Sequence, residues 1–196
     1  MTKEVNPTID YNQEIAEREN QIDQLLKIIR EMALKDPLTG VFNHANFQER
    51  LHSEISRAQR FSSQVSLVLI DIDDFRAFNE QHGHIVGDQV LVVLGQIIRT
   101  YLRRYDVPAR YGGEEFAIIL PDASLEDAQK VAERIRLNAL EREISTGHTT
   151  THFTISTGIS NYPAQADSGM VLVACGEAAL RQAKLLGKNR TEIFVP

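Results

Sequence analysis

Two acidic clusters in this chain have the composition to hold a hard cation. Asp71-Ile72-Asp73-Asp74 ends an apolar run, and Glu114-Glu115 follows the paired glycines Gly112-Gly113. Carboxylates that converge repel each other unless a cation neutralises them. Oxygen ligands with no Cys or His in the set suit Mg²⁺ or Mn²⁺. Mg²⁺ held by one or two carboxylates completes its shell with water and substrate phosphates. The pattern therefore points to a nucleotide or phosphoryl-transfer site. The plainer reading is that these acids cap helices and mark turns. Asp is a good N-cap, and Asp73-Asp74 or Gly-Gly-Glu-Glu taken alone favours that reading.

The elements that must position these groups alternate along the chain. Val65 to Ile70 is rich in β-branched and apolar residues, the pattern of a strand buried on both faces. A short helix from about Phe75 to Gln81 leads to His82-Gly83-His84 and Gly87-Asp88. A helix with Leu91, Leu94, Ile97, Ile98, Tyr101 and Leu102 follows. Val107 to Tyr111 and Glu114 to Leu120 then read as a hairpin around Gly112-Gly113, in which both glycines can take positive φ. A helix bearing Ala128, Val131, Ala132, Ile135 and Leu140 precedes a Thr-rich connection. Phe153 to Ser160 alternates like a strand. Residues 168–186 form an Ala/Leu-rich helix closed by Gly187, and Thr191 to Val195 is a last short strand. Upstream of all these, Phe47, Leu51, Ile55 and Ala58 mark one face of another helix. The expected class is α/β or α+β: a central sheet with helices packed against it.

The first 35 residues form a separate domain in this reading, with the globular domain at 36–196. No Gly or Pro lies between Tyr11 and Lys35. Ile15, Ile22 and Ile29 recur every seven residues, with Leu25 and Met32 at the matching second position and Leu26 beside them. Arg18 interrupts the seam. The spacing predicts a parallel coiled coil, the alternative being an amphipathic helix folded back on its own domain.

The chain has 196 residues, with 21 Lys+Arg against 27 Asp+Glu. The resulting net charge of −6 gives no general attraction for nucleic acid or an anionic membrane surface. One cysteine, Cys175, excludes an internal disulfide and reads as a packed core thiol. The longest apolar run, Val65 to Ile72, is interrupted by Ser66 and Asp71 and is too short to span a bilayer. Met1 to Val5 lacks the apolar stretch of a signal peptide, so a soluble, cytoplasmic chain is expected. His148 and His152 have a metal-like spacing but sit in the Thr-rich connection without partners, where no function is expected.

Arg110-Tyr111-Gly112-Gly113-Glu114-Glu115-Phe116 resembles the signature of GGDEF-domain diguanylate cyclases, in its GGEEF variant. Other pieces of the family pattern follow in order. Asp36-Pro37-Leu38-Thr39-Gly40 with Asn43 resembles the motif that opens the domain. Asp71 to Phe75, Asn79, Gly83-His84 and Gly87-Asp88 resemble its metal and guanine stretch. Thr154 to Ile159 resembles its later strand. Ala178 to Leu180, Ala183-Lys184 and Gly187-Lys188-Asn189-Arg190 resemble its phosphate-binding end. The resemblance implies a palm-like sheet related to nucleotide cyclases and polymerases. It implies condensation of two GTP to cyclic di-GMP with release of two pyrophosphates.

By the same resemblance, Asp71, the carbonyl of Ile72 and Glu114 hold the metal, Mg²⁺ or Mn²⁺. Glu114 or Glu115 takes the proton from the 3′-hydroxyl. Asn79 and Asp88 read guanine, with His84 close to the nucleotide. Phe75 and its neighbours offer amides to the phosphates, beside Gly112 and Gly113, while Lys184 and Lys188 meet the β- and γ-phosphates. Arg76 stands where the family usually has Lys, keeping the charge but not the shape. Glu80 replaces the usual Asp, His44-Ala45 the common arginine pair, Arg181 an aromatic, and Lys188 a frequent Arg. None of these removes a ligand, so an active enzyme is expected.

Arg103-Arg104-Tyr105-Asp106 contains the Arg-x-x-Asp that in this family binds product, helped here by Arg134. The plainer reading is an Arg at a helix C-terminus. A two-fold product needs each 3′-hydroxyl to attack the other GTP, so the resemblance implies a homodimer, and the N-terminal coil supplies the symmetry. The chain begins near that helix, which leaves an upstream sensor domain open. Two competing readings remain: a catalytically silent cyclic di-GMP receptor acting through Arg103 and Asp106, and a purine nucleotide cyclase on the same scaffold.

Overall fold

The computed structural model describes residues 15, 16, 18–25, 34–147 and 150–196. The chain divides into two units, Met1–Leu34 and Lys35–Pro196. In the first unit the described residues from 15 to 25 are helical and exposed, with Ile15, Ile22 and Leu25 more than half accessible. Leu26, Ile29 and Met32 of the expected seam lie outside the described residues.

The second unit is built on a five-stranded sheet of order β2-β3-β1-β6-β7. Its strands are β1 (Val65–Ile72), β2 (Val107–Arg110), β3 (Glu115–Pro121), β6 (Ile155–Tyr162) and β7 (Thr191–Ile193). The Thr-rich connection, expected as a loop, folds into its own small ribbon, β4 (Ile144–Ser145) with β5 (Thr150–Thr151). β1 sits in the centre, antiparallel to both β3 and β6, while β7 joins β6 in parallel. The helices are α1 (His44–Phe61), α2 (Phe75–His82), α3 (His84–Tyr101), α4 (Leu125–Glu141) and α5 (Gly169–Leu185).

Alternation along β1 explains its nearly continuous apolar pattern. Val68, Ile70 and Ile72 join one core with Leu91, Leu94, Ile98 of α3 and Ala128, Ala132, Ile135 of α4. Val65, Leu67 and Leu69 join the other with Phe47, Leu51, Ala58 of α1 and Leu172, Leu180 of α5. A strand covered by helices on both faces has no polar side to show. The mixed α+β architecture is therefore a central sheet between two helical layers. On α4 the inward residue of the last turn is Ala139, fully buried, and not the expected Leu140, which stays 36% exposed.

Two glycines set the position of α5. A Cβ on Gly158 of β6 would lie 2.2 Å from the Leu180 nitrogen and 2.3 Å from the Gly176 oxygen. The helix therefore rests backbone-on-backbone against the sheet, which brings its last turn over the end of β1. That turn closes in a Schellman motif: Lys188 N–H reaches the Ala183 carbonyl at 3.0 Å, with Gly187 at φ +111°. Cys175 is buried, its thiol pushed up by burial, with Sγ 3.6 Å from the Gln165 carbonyl. Among the described residues no helix is long and apolar enough to cross a membrane.

Candidate active site

The site is built where β1 ends. Asp71 is only 7% exposed and stands opposite Glu115 of β3 and Ser156 of β6. Directly opposed residues of an antiparallel pair project to the same face, so Asp71 and Glu115 share the α5 side. Lys184 of α5 pairs with Asp71 at 2.8 Å. Burial pushes the Asp71 carboxyl up; Lys184 opposes that, and the negative charges of Glu114 and Asp73 add to it. Glu115 is likewise raised by burial and by Asp71, with Glu114 and Glu177 contributing. One buried and two half-buried carboxylates, with Lys184 in direct contact with Asp71, make a site that favours a further cation. Among the described residues, however, no three acidic or histidine side chains are already gathered tightly enough to cage an ion. Asp71 and Glu114 are in electrostatic reach of each other, and Glu114 also borders a cavity on the other side of the hairpin.

On that other side lies a cavity of about 620 Å³ lined by Phe75, Arg76, Asn79, Glu80, His84, Asp88, Leu91, Arg110, Gly113 and Glu114. It brings together seven of the residues singled out in the sequence. Asn79 Oδ1 is buried there without a hydrogen-bond partner. It fits only because position 87 is glycine, where a Cβ would lie 1.8 Å from it. Arg76 is highly exposed and hydrogen-bonds Glu80 at 3.1 Å. The side chain of Ile72 is buried in the core, so only its backbone can serve the site.

Two local expectations are corrected. Gly112 and Gly113 do not take positive φ, and the hairpin is not a two-residue turn. The ladder closes at Arg110 and Phe116, and the N–H groups of Tyr111 and Gly112 both donate to the Glu115 carbonyl, at 2.8 and 3.1 Å. What Gly112 provides is room: a Cβ there would lie 2.5 Å from Glu115 Oε2, whereas Gly113 faces open space. Nor does either Asp cap α2 through its side chain. Asp74 occupies the cap position in a left-handed conformation with no side-chain cap bond, and its carboxylate instead pairs with Lys188 at 2.5 Å. Asp73 accepts from Thr154 Oγ1, Ser156 Oγ and the Asn189 N–H, at 2.7, 2.6 and 3.0 Å. It is a knot tying β1, β6 and the segment before β7.

Sequence reasoning quoted Arg110 but gave it no task. Its guanidinium donates to both Asp36 carboxylate oxygens, at 3.3 and 3.1 Å, and twice to the Gly113 carbonyl, at 3.0 and 2.7 Å. Thr39 N–H and Oγ1 also donate to Asp36. Burial raises the Asp36 carboxyl, but Thr39 and Arg110 together hold it below the ordinary carboxylate range. The opening motif and the glycine loop are thereby joined. Tyr111 was also missed. It packs edge-on against Phe47 and its carbonyl meets His44 Nδ1 at 2.8 Å. Its phenol is raised by burial and by Glu177 and Glu115. Apart from the Arg110–Gly113 bonds, the partners of these contacts lie on other elements, which no spacing rule announces.

The Arg-x-x-Asp segment sits apart, between α3 and β2. Asp106 is 9% exposed and accepts the Arg103 N–H at 2.7 Å. Burial pushes its carboxyl up, opposed by that bond. The Arg103 guanidinium reaches Tyr105 Oη at 3.3 Å, and Arg134 stacks 4.9 Å from the Tyr101 ring centre. His152 is exposed; His148 lies outside the described residues.

Comparison with known proteins places these features. Residues 33–190 match the family described as diguanylate cyclase, GGDEF domain. The response regulator PleD of Caulobacter vibrioides is 37% identical over 172 residues, 87% of this chain and 37% of PleD. Diguanylate cyclase DgcP of Pseudomonas aeruginosa is 35% identical over 188 residues, 92% of this chain and 28% of DgcP. The chain thus spans well under half the length of both. The coiled coil and GGDEF domain of DgcB from Caulobacter crescentus, solved with c-di-GMP, superposes with a TM-score of 0.84 at 28% identity. That match covers 93% of this chain and 98% of the DgcB chain. The chain belongs to the GGDEF-domain family of diguanylate cyclases.

Proposed function

We propose that this chain condenses two molecules of GTP into cyclic di-GMP, releasing two pyrophosphates. The observation that carries the reading is the end of β1. There Asp71 lies opposite Glu115, in reach of Glu114 and under Lys184, beside a cavity holding Asn79 and Asp88. Asp71, Glu114 and the Ile72 carbonyl would hold Mg²⁺ or Mn²⁺, which fits the partly uncompensated charge of the cluster. When bound, such an ion screens the triphosphate and favours ionisation of the attacking hydroxyl.

The chain's own residues do the rest. Asn79 and Asp88 hydrogen-bond the guanine edge, with His84 beside it. The free amides at the start of α2, around Phe75, take phosphate oxygens. Lys184 and Lys188 exchange their present partners, Asp71 and Asp74, for the β- and γ-phosphates. Arg76 adds a planar, permanently charged donor to the same group. The 3′-oxygen of one GTP attacks the α-phosphorus of the other, and the bond to pyrophosphate breaks. Glu115, which is not among the ion's proposed ligands, accepts the 3′-hydroxyl proton. Gly112 leaves space for its side chain.

A single domain aligns only one of the two attacks, so the active form is a homodimer. The heptad spacing of Ile15 and Ile22 supports this, as does the solved DgcB chain, which pairs a coiled coil with its GGDEF domain. Product binds at Arg103, Asp106 and Arg134 and inhibits. A cytoplasmic setting, where GTP is available, goes with this reading. Incubation with GTP and Mg²⁺ followed by product chromatography tests it: cyclic di-GMP is expected, and GTP left intact with cyclic di-GMP bound would favour a silent receptor. Initial rate per chain should fall on dilution more steeply for a chain beginning at Lys35; equal specific activity at low concentration would refute the role of the coil.

A further inference from the structure

We propose that Arg136 of α4 is a positioning residue for the phosphate-binding end of the site, acting through Asn189. This deepens the reading of Lys188 as a triphosphate ligand and rests on it. Lys188 and Asn189 are consecutive non-glycine residues in the left-handed region, at φ 63° and 45°. L-residues rarely hold that conformation unless their surroundings impose it. Here the restraint comes from two sides.

Arg136 Nη1 donates to the Asn189 carbonyl at 3.2 Å and to Asn189 Oδ1 at 2.9 Å. From the opposite side Asp73 Oδ2 accepts the Asn189 N–H at 3.0 Å. Asn189 is thus gripped at backbone donor, backbone acceptor and side chain. Arg136 is itself fixed. Its side chain is 14% exposed, and Nε and Nη2 fork onto the Glu133 carboxylate at 3.0 and 2.8 Å. Glu133 also accepts from Thr191 Oγ1, and Thr191 in turn accepts from Thr157 of β6 at 2.8 Å. The outcome is a stiff path from α4 and β6 to the residue that follows Lys188. A planar fork with spare donors suits this task; a lysine offers only a point charge.

Two readouts test the clamp. The first needs no nucleotide. Hydrogen exchange of the Asn189 and Thr191 amides should speed up at least about tenfold in Arg136→Ala, with the β1 amides unchanged. Equal exchange in both chains overturns the clamp. The second uses GTP. Arg136→Ala should raise KM for GTP about tenfold with kcat little changed, and should add nothing to the KM of Lys188→Ala. Additive effects, or a change in kcat alone, overturn it. Asn189→Gly removes only the side-chain acceptor and tolerates the backbone, so it serves if Arg136→Ala unfolds. It should raise KM about threefold, and an unchanged KM counts against the proposal. Wild-type chain that makes no cyclic di-GMP refutes the proposed function, and the exchange measurement still decides the clamp.

Discussion

The nucleotide cavity and the Arg103–Asp106 turn both pair Asp with basic residues, but they are made differently. At the cavity, Asp71 meets Lys184 and Asp74 meets Lys188 across more than a hundred residues of chain. These pairs exist only when β1, α2 and α5 are all in place, and both lysines are 40% exposed. The Asp74–Lys188 pair, exposed on both partners, contributes about 0–1 kcal/mol, so an incoming phosphate displaces it at little cost; Asp71 is buried, and Lys184 leaves it only where another cation takes its place. At the turn, Asp106 is buried and satisfied by the backbone of Arg103 three residues away. Its carboxylate shapes the turn, and the exposed Arg103 guanidinium is what remains for a ligand. In the proposed reading, the charge of the first region serves the nucleotide, and that of the second is divided between the turn and the product.

Substitutions can break or sharpen that contrast. Glu115→Ala should reduce turnover by about 10³-fold or more with the far-UV circular dichroism unchanged; near-normal activity would mean that the hairpin carboxylates are misassigned. Gly112→Ala should lower kcat about 10²-fold by displacing the Glu115 carboxylate, while Gly113→Ala, which meets no protein atom but borders the cavity, should leave kcat within about twofold and act on KM for GTP. Similar losses in both would show that the loop, and not the room for Glu115, matters.

At the turn the effects divide by residue. Arg103→Ala should relieve product inhibition and leave thermal stability alone. Asp106→Ala should also lower stability by about 1–2 kcal/mol, because it orphans a backbone donor. An unchanged inhibition curve for Arg103→Ala would restore the plain reading of a helix-end arginine. The smallest effect is in pH. Burial raises the folded pKa of Asp106, so its contribution to stability is fully present below the ordinary carboxylate value. It is lost as pH rises through the raised folded value. Asp106→Asn should therefore flatten stability over that interval in denaturant titrations; an unaltered pH profile would refute the burial argument.

Legibility in the sequence followed the range of the contacts. β1 was readable because helices cover both its faces, leaving Ser66 as the one polar position from Val65 to Ile70. Gly187 was readable because a Schellman motif is local. The ordered motifs from Asp36 to Arg190 identified the family, and with it most of the cavity lining. The tasks of Arg110, Tyr111 and Arg136 were not readable, since each bonds to a partner on another element. The hairpin failed for a different reason. Paired glycines suit positive φ, but here Gly112 is required by the bulk of Glu115, a constraint visible only with the side chain in place. The same holds for Asp73, whose three donors come from Thr154, Ser156 and Asn189.

The most direct test of the central claim is the stoichiometry of products from GTP and Mg²⁺, measured for the wild-type chain beside Asp71→Asn. The account predicts two pyrophosphates for each cyclic di-GMP from the wild type and neither product from the variant. Equal synthesis by both chains, or pyrophosphate release without cyclic di-GMP from the wild type, would contradict it.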